Sequence, residues 1–294
     1  MIKRILHFLY RYLTDKNYRF LFNASKGVYN NMPDKEYLER LFYAQFGKEL
    51  NLENPVTFNE KMQWLKLYNR NPLHTKMVDK YSVRDYLKEK VGEEYIVPVL
   101  GAWENADDID FNALPEQFVL KTTHGCGGMY ICRDRSKFDI KKAKKGLNKA
   151  LKRRYFYHVR EWPYKDVVPR IICEPYLQDG NTENLNVYKV FNFSGKPYLI
   201  QTIQNDKTSF ESIDYFDTDW NVLDLHQNYP NSKNPLPKPK TLEKMLELSA
   251  KCSEGFPFCV PTGTKLTERF IFRNLHSFPM RVWNPIIPKV GTKS

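Results

Sequence analysis

Apolar residues open the chain at helical spacing. Ile2, Ile5, Leu6, Leu9 and Leu13 form one stripe among Lys3, Arg4 and Arg11. This predicts a basic amphipathic helix whose stripe has two partners open to it, the protein's own core or an anionic membrane surface. Residues 34–46 and 59–68 repeat the helical period, with Thr57 or Asn59 as N-cap, so residues 1–75 read as a helical N-terminal region. A helix over 80–90 leads through Gly92 into the apolar run 95–100, which reads as a short strand. Strands over 118–121 and 130–132 flank THGCGGM, a hairpin with a glycine-rich tip. A helix follows over 141–154, then a strand over 170–177. Residues 188–193 and 196–202 form a hairpin turning at Ser194-Gly195, and 241–253 a helix capped by Thr241. The order predicts an α+β fold with antiparallel sheets, not a doubly wound parallel one. There is no internal repeat, and the one biased stretch is the Pro/Lys/Asn-rich loop 230–240.

Composition narrows the class. At 294 residues and 41% hydrophobic the chain fills a real core, and a mean hydropathy of -0.61 argues against membrane burial. No stretch has the length of a membrane-spanning helix and no cleavable leader is visible, so the expected location is the cytoplasm, with peripheral contact at the inner face of the membrane left open by the first helix. Cys126, Cys132, Cys173, Cys252 and Cys259 are odd in number and scattered, without a CxxC pair. His124, Cys126 and Cys132 offer metal-ligand types, but packed thiols are the plainer reading. The net charge of +12 invites an anionic partner. The cluster Lys141, Lys142, Lys144, Lys145, Lys149, Lys152, Arg153 and Arg154 has the spacing of a solvated helix face, and no RNP, zinc-finger or helix-turn-helix mark accompanies it. Nucleic acid is therefore not an expected partner.

Chemistry concentrates in LPEQFVLKTTHGCGGMYICRD. A strand delivers Lys121, and Gly125, Gly127 and Gly128 then strip side chains from the loop so that backbone N–H groups can approach phosphate oxygens. The lysine precedes the glycines, so this is neither GxGxxG nor a P-loop, and an ordinary glycine-rich hairpin fits as well. Lys80 and Lys189 are further cations; spacing alone does not bring them together.

The phrases FNEKMQWLKLY, VDKYSVRDYLKEKVGEEYIVPVLGAWE, LPEQFVLKTTHG, REWPYKDVVPRIICEPYL and YKVFNFSGKPYLI, in this order, resemble the TupA-like ATP-grasp family over residues 34–258. The resemblance implies an ATP-grasp fold of two α+β lobes closing on ATP and magnesium. It further implies phosphorylation of a carboxylate and attack by an amine, in the synthesis of teichuronopeptide, capsule or other surface polysaccharide, with a glycan or amino-acid acceptor. By position, Lys121 resembles the lysine that reaches the phosphates and Lys80 the earlier lysine of the first lobe. Thr123, His124, Gly125, Gly127 and Gly128 resemble the flap over them. Glu174, Pro175, Tyr176 and Leu177 fall on the hinge that takes the adenine edge. Lys189 matches the basic position of a DYK phrase whose acidic residue is Val187 here. On this scheme residues 76–177 form the first lobe and 178–258 an incomplete second one. His124 and the Glu161-Trp162 pair are the candidates for proton transfer, and no catalytic residue is assigned.

The end departs from the family. ATP transfer takes a divalent cation held by hard carboxylates, which the family places near its C-terminus, yet after Phe258 the only acidic residue is Glu268. Residues 259–294 carry six Lys or Arg and no Tyr. With permissible codons, the same stretch displaced by one base spells acidic strands of the family's kind, so 259–294 reads as a frameshifted tail that should pack poorly. The rival class is a metal-dependent glycosyltransferase, for which Asp217-Thr218-Asp219 supplies a DxD and Asp108-Ile109-Asp110 another. A glycan kinase on the same fold is a second alternative.

Overall fold

A computed structural model describes residues 2–125, 127–179, 185–226, 229–266, 269–276 and 287–288. The chain starts with four helices: α1 (Ile2–Thr14), α2 (Lys16–Ser25), α3 (Asp34–Phe46) and α4 (Phe58–Tyr68). Of the two expected N-caps, Thr57 and not Asn59 caps α4, and Glu60 closes a reciprocal capping box. Phe20, Tyr37, Leu38 and Leu41 form the core of this region. The apolar stripe of α1 does not enter it: Ile5, Leu6, Leu9 and Leu13 are exposed.

Helices α5 (Leu73–Val78) and α6 (Val83–Val91) lead to a four-stranded antiparallel sheet. Its members are β1 (Gly101–Trp103), β2 (Phe118–Thr122), β3 (Met129–Cys132) and β4 (Ile171–Pro175), in the order β1-β4-β2-β3. The strand expected over 95–100 is displaced to β1. Glu93–Tyr95 is a 3-10 turn, and Pro98, which has no N–H for a ladder, interrupts the run. Between β3 and β4 lie α7 (Ile140–Leu151) and α8 (Phe156–Val159). Ala143, Leu147 and Ala150 of α7 are buried while Lys141, Lys142, Lys145 and Lys149 face solvent, so its lysines are a solvated face.

The second sheet has six strands in the order β11-β10-β5-β6-β7-β8. Its hairpin β5 (Val187–Phe193) and β6 (Lys196–Gln204) turns at Ser194 and Gly195, both at positive φ, the geometry that matches strand twist. Next come β7 (Ser212–Phe216), β8 (Val222–Leu223), β9 (Leu225–His226) and α9 (Leu242–Ser253). Then β10 (Phe258–Leu266) and β11 (Arg269–His276) pair with each other, β10 also with β5, and β12 (Ile287–Pro288) with β9. Cys259, Val260, Phe270, Phe272 and Leu275 are buried, so the segment set apart by its composition begins inside the second sheet. The poor packing expected over 259–294 is therefore not found in β10 or β11, and most of 277–294, β12 apart, lies outside the described residues. Helices α6 and α9 cover one face of this sheet through Leu87, Met245, Leu248 and Cys252, and Met62 of α4 meets Phe258 and Val260. Among the described residues, Cys132, Cys173, Cys252 and Cys259 are free and buried.

Candidate active site

Alternation along β2 decides what faces the space between the sheets. Phe118 and Leu120 enter the core under α7 with Leu147, whereas Val119 and Lys121 share the opposite face. Glu174 of β4 pairs opposite Val119 and Ile172 opposite Lys121, which makes Glu174 the diagonal neighbour of the lysine. Their charged ends meet at 2.7 Å with both side chains buried. The other carboxylate oxygen of Glu174 accepts from the guanidinium of Arg84 on α6, which also donates to the Val97 carbonyl. Burial pulls Lys121 down to about 8; Glu174 works against this and Arg273 adds to it.

Lys80, just before α6, bends the loop after β2. Its Nζ donates to the Gly125 carbonyl at 2.6 Å and to the Thr123 carbonyl at 3.2 Å. Gly127 and Gly128 both have positive φ, and a Cβ on Gly128 would come within 2.6 Å of the Ala150 Cβ, so this tip requires glycine. From the second sheet, β5 presents Val187 and Lys189 and β10 presents Thr262, the residue paired with Lys189. The register between β10 and β11 slips between Thr262 and Gly263: Asn274 opposes Thr262 and Phe272 opposes Gly263, leaving Arg273 as the extra residue of a bulge. Neighbours on a regular strand face opposite ways; a bulge relaxes that rule, and here both Arg273 and Asn274 reach the cleft.

These residues line a cavity of roughly 230 Å³ that contains Lys80, Lys121, Lys189, Gly125 and Gly127 together with Lys207 and Arg273. An adjoining cavity of roughly 270 Å³ shares Met129, Asp206, Lys207 and Arg273 with it, and holds Glu174, Pro175, Tyr176 and Leu177 beside Val119 and Ile131. The structure thus brings the three expected lysines to one space and the expected hinge to the next. Thr123, His124 and Gly128 line neither. Thr123 is buried with its N–H on the Arg170 carbonyl. Gly128 offers its carbonyl to the Thr122 N–H. His124 lines a third cavity, with Arg153, Arg154, Tyr155 and His158. Burial, then the Lys80 ammonium, holds its imidazole below its ordinary value, against backbone hydrogen bonds at Ala150 and Arg153. Cys126 lies outside the described residues, and Cys132 points its thiol at the Glu116 carbonyl.

Arg84, Lys207, Arg273 and Asn274 escape the sequence reading. Arg84 stands four residues after Lys80 and was within reach of it; Arg273 and Asn274 sit in the stretch whose composition hides them. The fit to magnesium is poor. Among the described residues Asp206 is the single carboxylate lining the lysine cavity, 3.6 Å from Lys207, and Asn274 the single carboxamide. Glu174, in the adjoining cavity, is taken by Lys121 and Arg84, and Glu268 lies outside the described residues. Among the described residues no group of three His, Cys, Asp or Glu could hold a metal ion.

A family model described as TupA-like ATPgrasp matches residues 60–277, about three quarters of the chain. The chain belongs to the TupA-like ATP-grasp family. The match spans both sheets and reaches past β11. The protein has the ATP-grasp fold, with antiparallel sheets and a helical N-terminal region. Among solved structures it is similar to D-alanine–D-alanine ligase from Bacillus anthracis complexed with ATP, at 15% identity and TM-score 0.41, over 69% of this chain and 54% of that one. The same enzyme from Helicobacter pylori matches at 13% identity and TM-score 0.39, over 75% and 61%. The ATP-grasp ligase PsnB complexed with its minimal precursor matches at 8% identity and TM-score 0.40, over 76% and 61%. This TupA-like chain thus spans little more than half the length of each. No curated protein sequence matches it.

Proposed function

We propose that this protein binds ATP between its two sheets and belongs by descent to the ligases that join a carboxylate to an amine, acting in the cytoplasm on a surface glycan or its precursor. The observation that carries the reading is the meeting of Lys80, Lys121 and Lys189 in one cavity under the glycine loop. A triphosphate there would run from the hinge cavity, with adenine against the backbone of Glu174–Leu177, to the lysines. Each close phosphate–ammonium pair is worth about 4 kcal/mol at an effective dielectric near 20, before desolvation is subtracted. In the reaction of such ligases a carboxylate oxygen attacks the γ-phosphorus as ADP leaves, and the amine then attacks the acyl carbon as phosphate leaves.

Two observations bear on the alternatives. The carboxylate of Asp217 is consumed within its own turn, accepting from the N–H groups of Asp219 at 2.9 Å and Asn221 at 2.8 Å, and from the Asn221 carboxamide. Asp110 likewise accepts from the Asn112 N–H, and neither DxD lines the cleft, so nothing in the geometry favours a glycosyltransferase. The thin carboxylate set among the described residues supports a second part of the proposal, a chain that holds ATP with little phosphoryl transfer; a frame slip near codon 258, suggested by composition, has against it the family match to residue 277 and the burial of β10 and β11. Melting temperature with ATP and with a UDP-sugar tests the first part; ATP should protect, by about 2.7 kcal/mol at a hundred times Kd. Protection by the UDP-sugar alone would overturn it. If an amine acceptor proves dispensable and a hydroxyl one suffices for ADP release by a frame-restored chain, the ligase becomes a kinase. Comparable turnover by the present and restored chains, or gene sequence without a displacement across codons 257–260, removes the frame slip.

A further inference from the structure

The first helix is docked by the wrong face for a core element. Phe8 and Tyr12 of α1 pack on Phe22 of α2, with ring centroids 4.9 and 5.6 Å away, and the Tyr12 hydroxyl donates to Asn23 at 3.0 Å. Arg19 closes the elbow by donating to the carbonyls of Tyr12 and Leu13, so the orientation of α1 is fixed by contacts that its aliphatic stripe does not make. Ile5, Leu6, Leu9 and Leu13 remain in solvent, Leu6 at 60% and Leu13 at 71% exposure. Isolated exposed aliphatic side chains are ordinary; four on one face of one helix form a patch that water penalises.

The chemistry around the patch chooses its occupant. Over residues 2–26 the chain carries Lys3, Arg4, Arg11, Lys16, Arg19 and Lys26 against a single carboxylate, Asp15, which Arg11 already holds at 3.1 Å. A face that is apolar along its centre, on a region that is cationic throughout, complements a surface that is greasy beneath and anionic above. A second copy of the chain would set like charge against like charge. No described helix is long and apolar enough to cross a membrane, so the contact is one of lying on the surface. We infer that α1 is a membrane-surface anchor, seating its Ile5-Leu6-Leu9-Leu13 face among the acyl chains of an anionic bilayer. This inference stands apart from the ligase reading and survives or fails without it.

The test is co-sedimentation of the full chain with vesicles rich in phosphatidylglycerol and, separately, with vesicles of phosphatidylcholine alone. The chain should pellet with the anionic vesicles, far less with the neutral ones, and progressively less as salt is raised. Leu6→Asp/Leu13→Asp should lower the bound fraction about tenfold or more, since each leucine removed takes its buried CH₂ groups with it. Its melting temperature should equal that of the parent, because both positions are exposed. Lys3→Glu/Arg4→Glu should weaken binding to the anionic vesicles alone. Failure of the parent chain to pellet, or equal binding by the Leu6→Asp/Leu13→Asp chain, overturns the inference. So does a dimer that this variant splits and that vesicles leave intact.

Discussion

Lys66 on α4 and Lys121 on β2 are both buried, and burial pulls each ammonium down to about 8, with one carboxylate working the other way: Glu161 for Lys66, Glu174 for Lys121. Their surroundings then diverge. Lys66 donates to the Gln63 carboxamide at 3.2 Å, in the helical region beside the buried Glu161, and lines neither cavity of the cleft. Lys121 sits on a strand whose other face is fully packed, and opens onto a cavity with Lys80, Lys189, Lys207 and Arg273. A perturbed lysine is therefore no site by itself. What separates the two is the concentration of further positive charge around empty space, which no packed core tolerates without an anion to receive.

The comparison can be broken by substitution. Lys66→Met should take a buried counter-charge away from Glu161 and lower stability by about 3–5 kcal/mol, read from denaturant unfolding, while the ATP affinity of the folded protein stays within about twofold. Equal loss of ATP affinity would erase the distinction. Lys121→Met should do the reverse. Glu174 keeps Arg84, so destabilisation is smaller, and ATP affinity by calorimetry should fall on the order of 100-fold, most of one phosphate contact.

Titration sharpens the contrast further. A bound triphosphate favours the charged form of Lys121, so its value in the complex lies above that in the free protein. ATP affinity should then be full below about pH 8 and decline as pH rises through that value, roughly tenfold from about pH 7.5 to about pH 9. Lys121→Met should flatten this slope; a slope that persists in it would place the titrating group elsewhere. The smallest effect is expected at Asp217→Asn, which trims a turn outside the cleft: a slightly lower melting temperature and unchanged ATP affinity. A large change in nucleotide binding there would revive the DxD.

Much of the fold was legible because its signals are local. The cap at Thr57, the Ser194-Gly195 turn and the period of α3 need only neighbours in sequence. The run 95–100 misled because apolar residues are read the same way whether they pair or not, and Pro98 outweighed them. The strands β10 and β11 went unread because their residues carry no alternation distinct from the surrounding tail. Their pairing is fixed instead by β5, some 70 residues earlier in the chain.

By itself, the sequence determined the lysines, the glycine loop that follows Lys121, the family, and the helical period of the amphipathic first segment, since each is a matter of residue type and short spacing. Tertiary structure alone decided three other things. It placed Lys80, Lys121 and Lys189 about one cavity, though strand pairing between distant segments cannot be read from any of them singly. It put Arg273 and Asn274 beside them by a bulge. And it left the stripe of α1 in solvent, because Phe8 and Tyr12 claimed the only face that α2 covers.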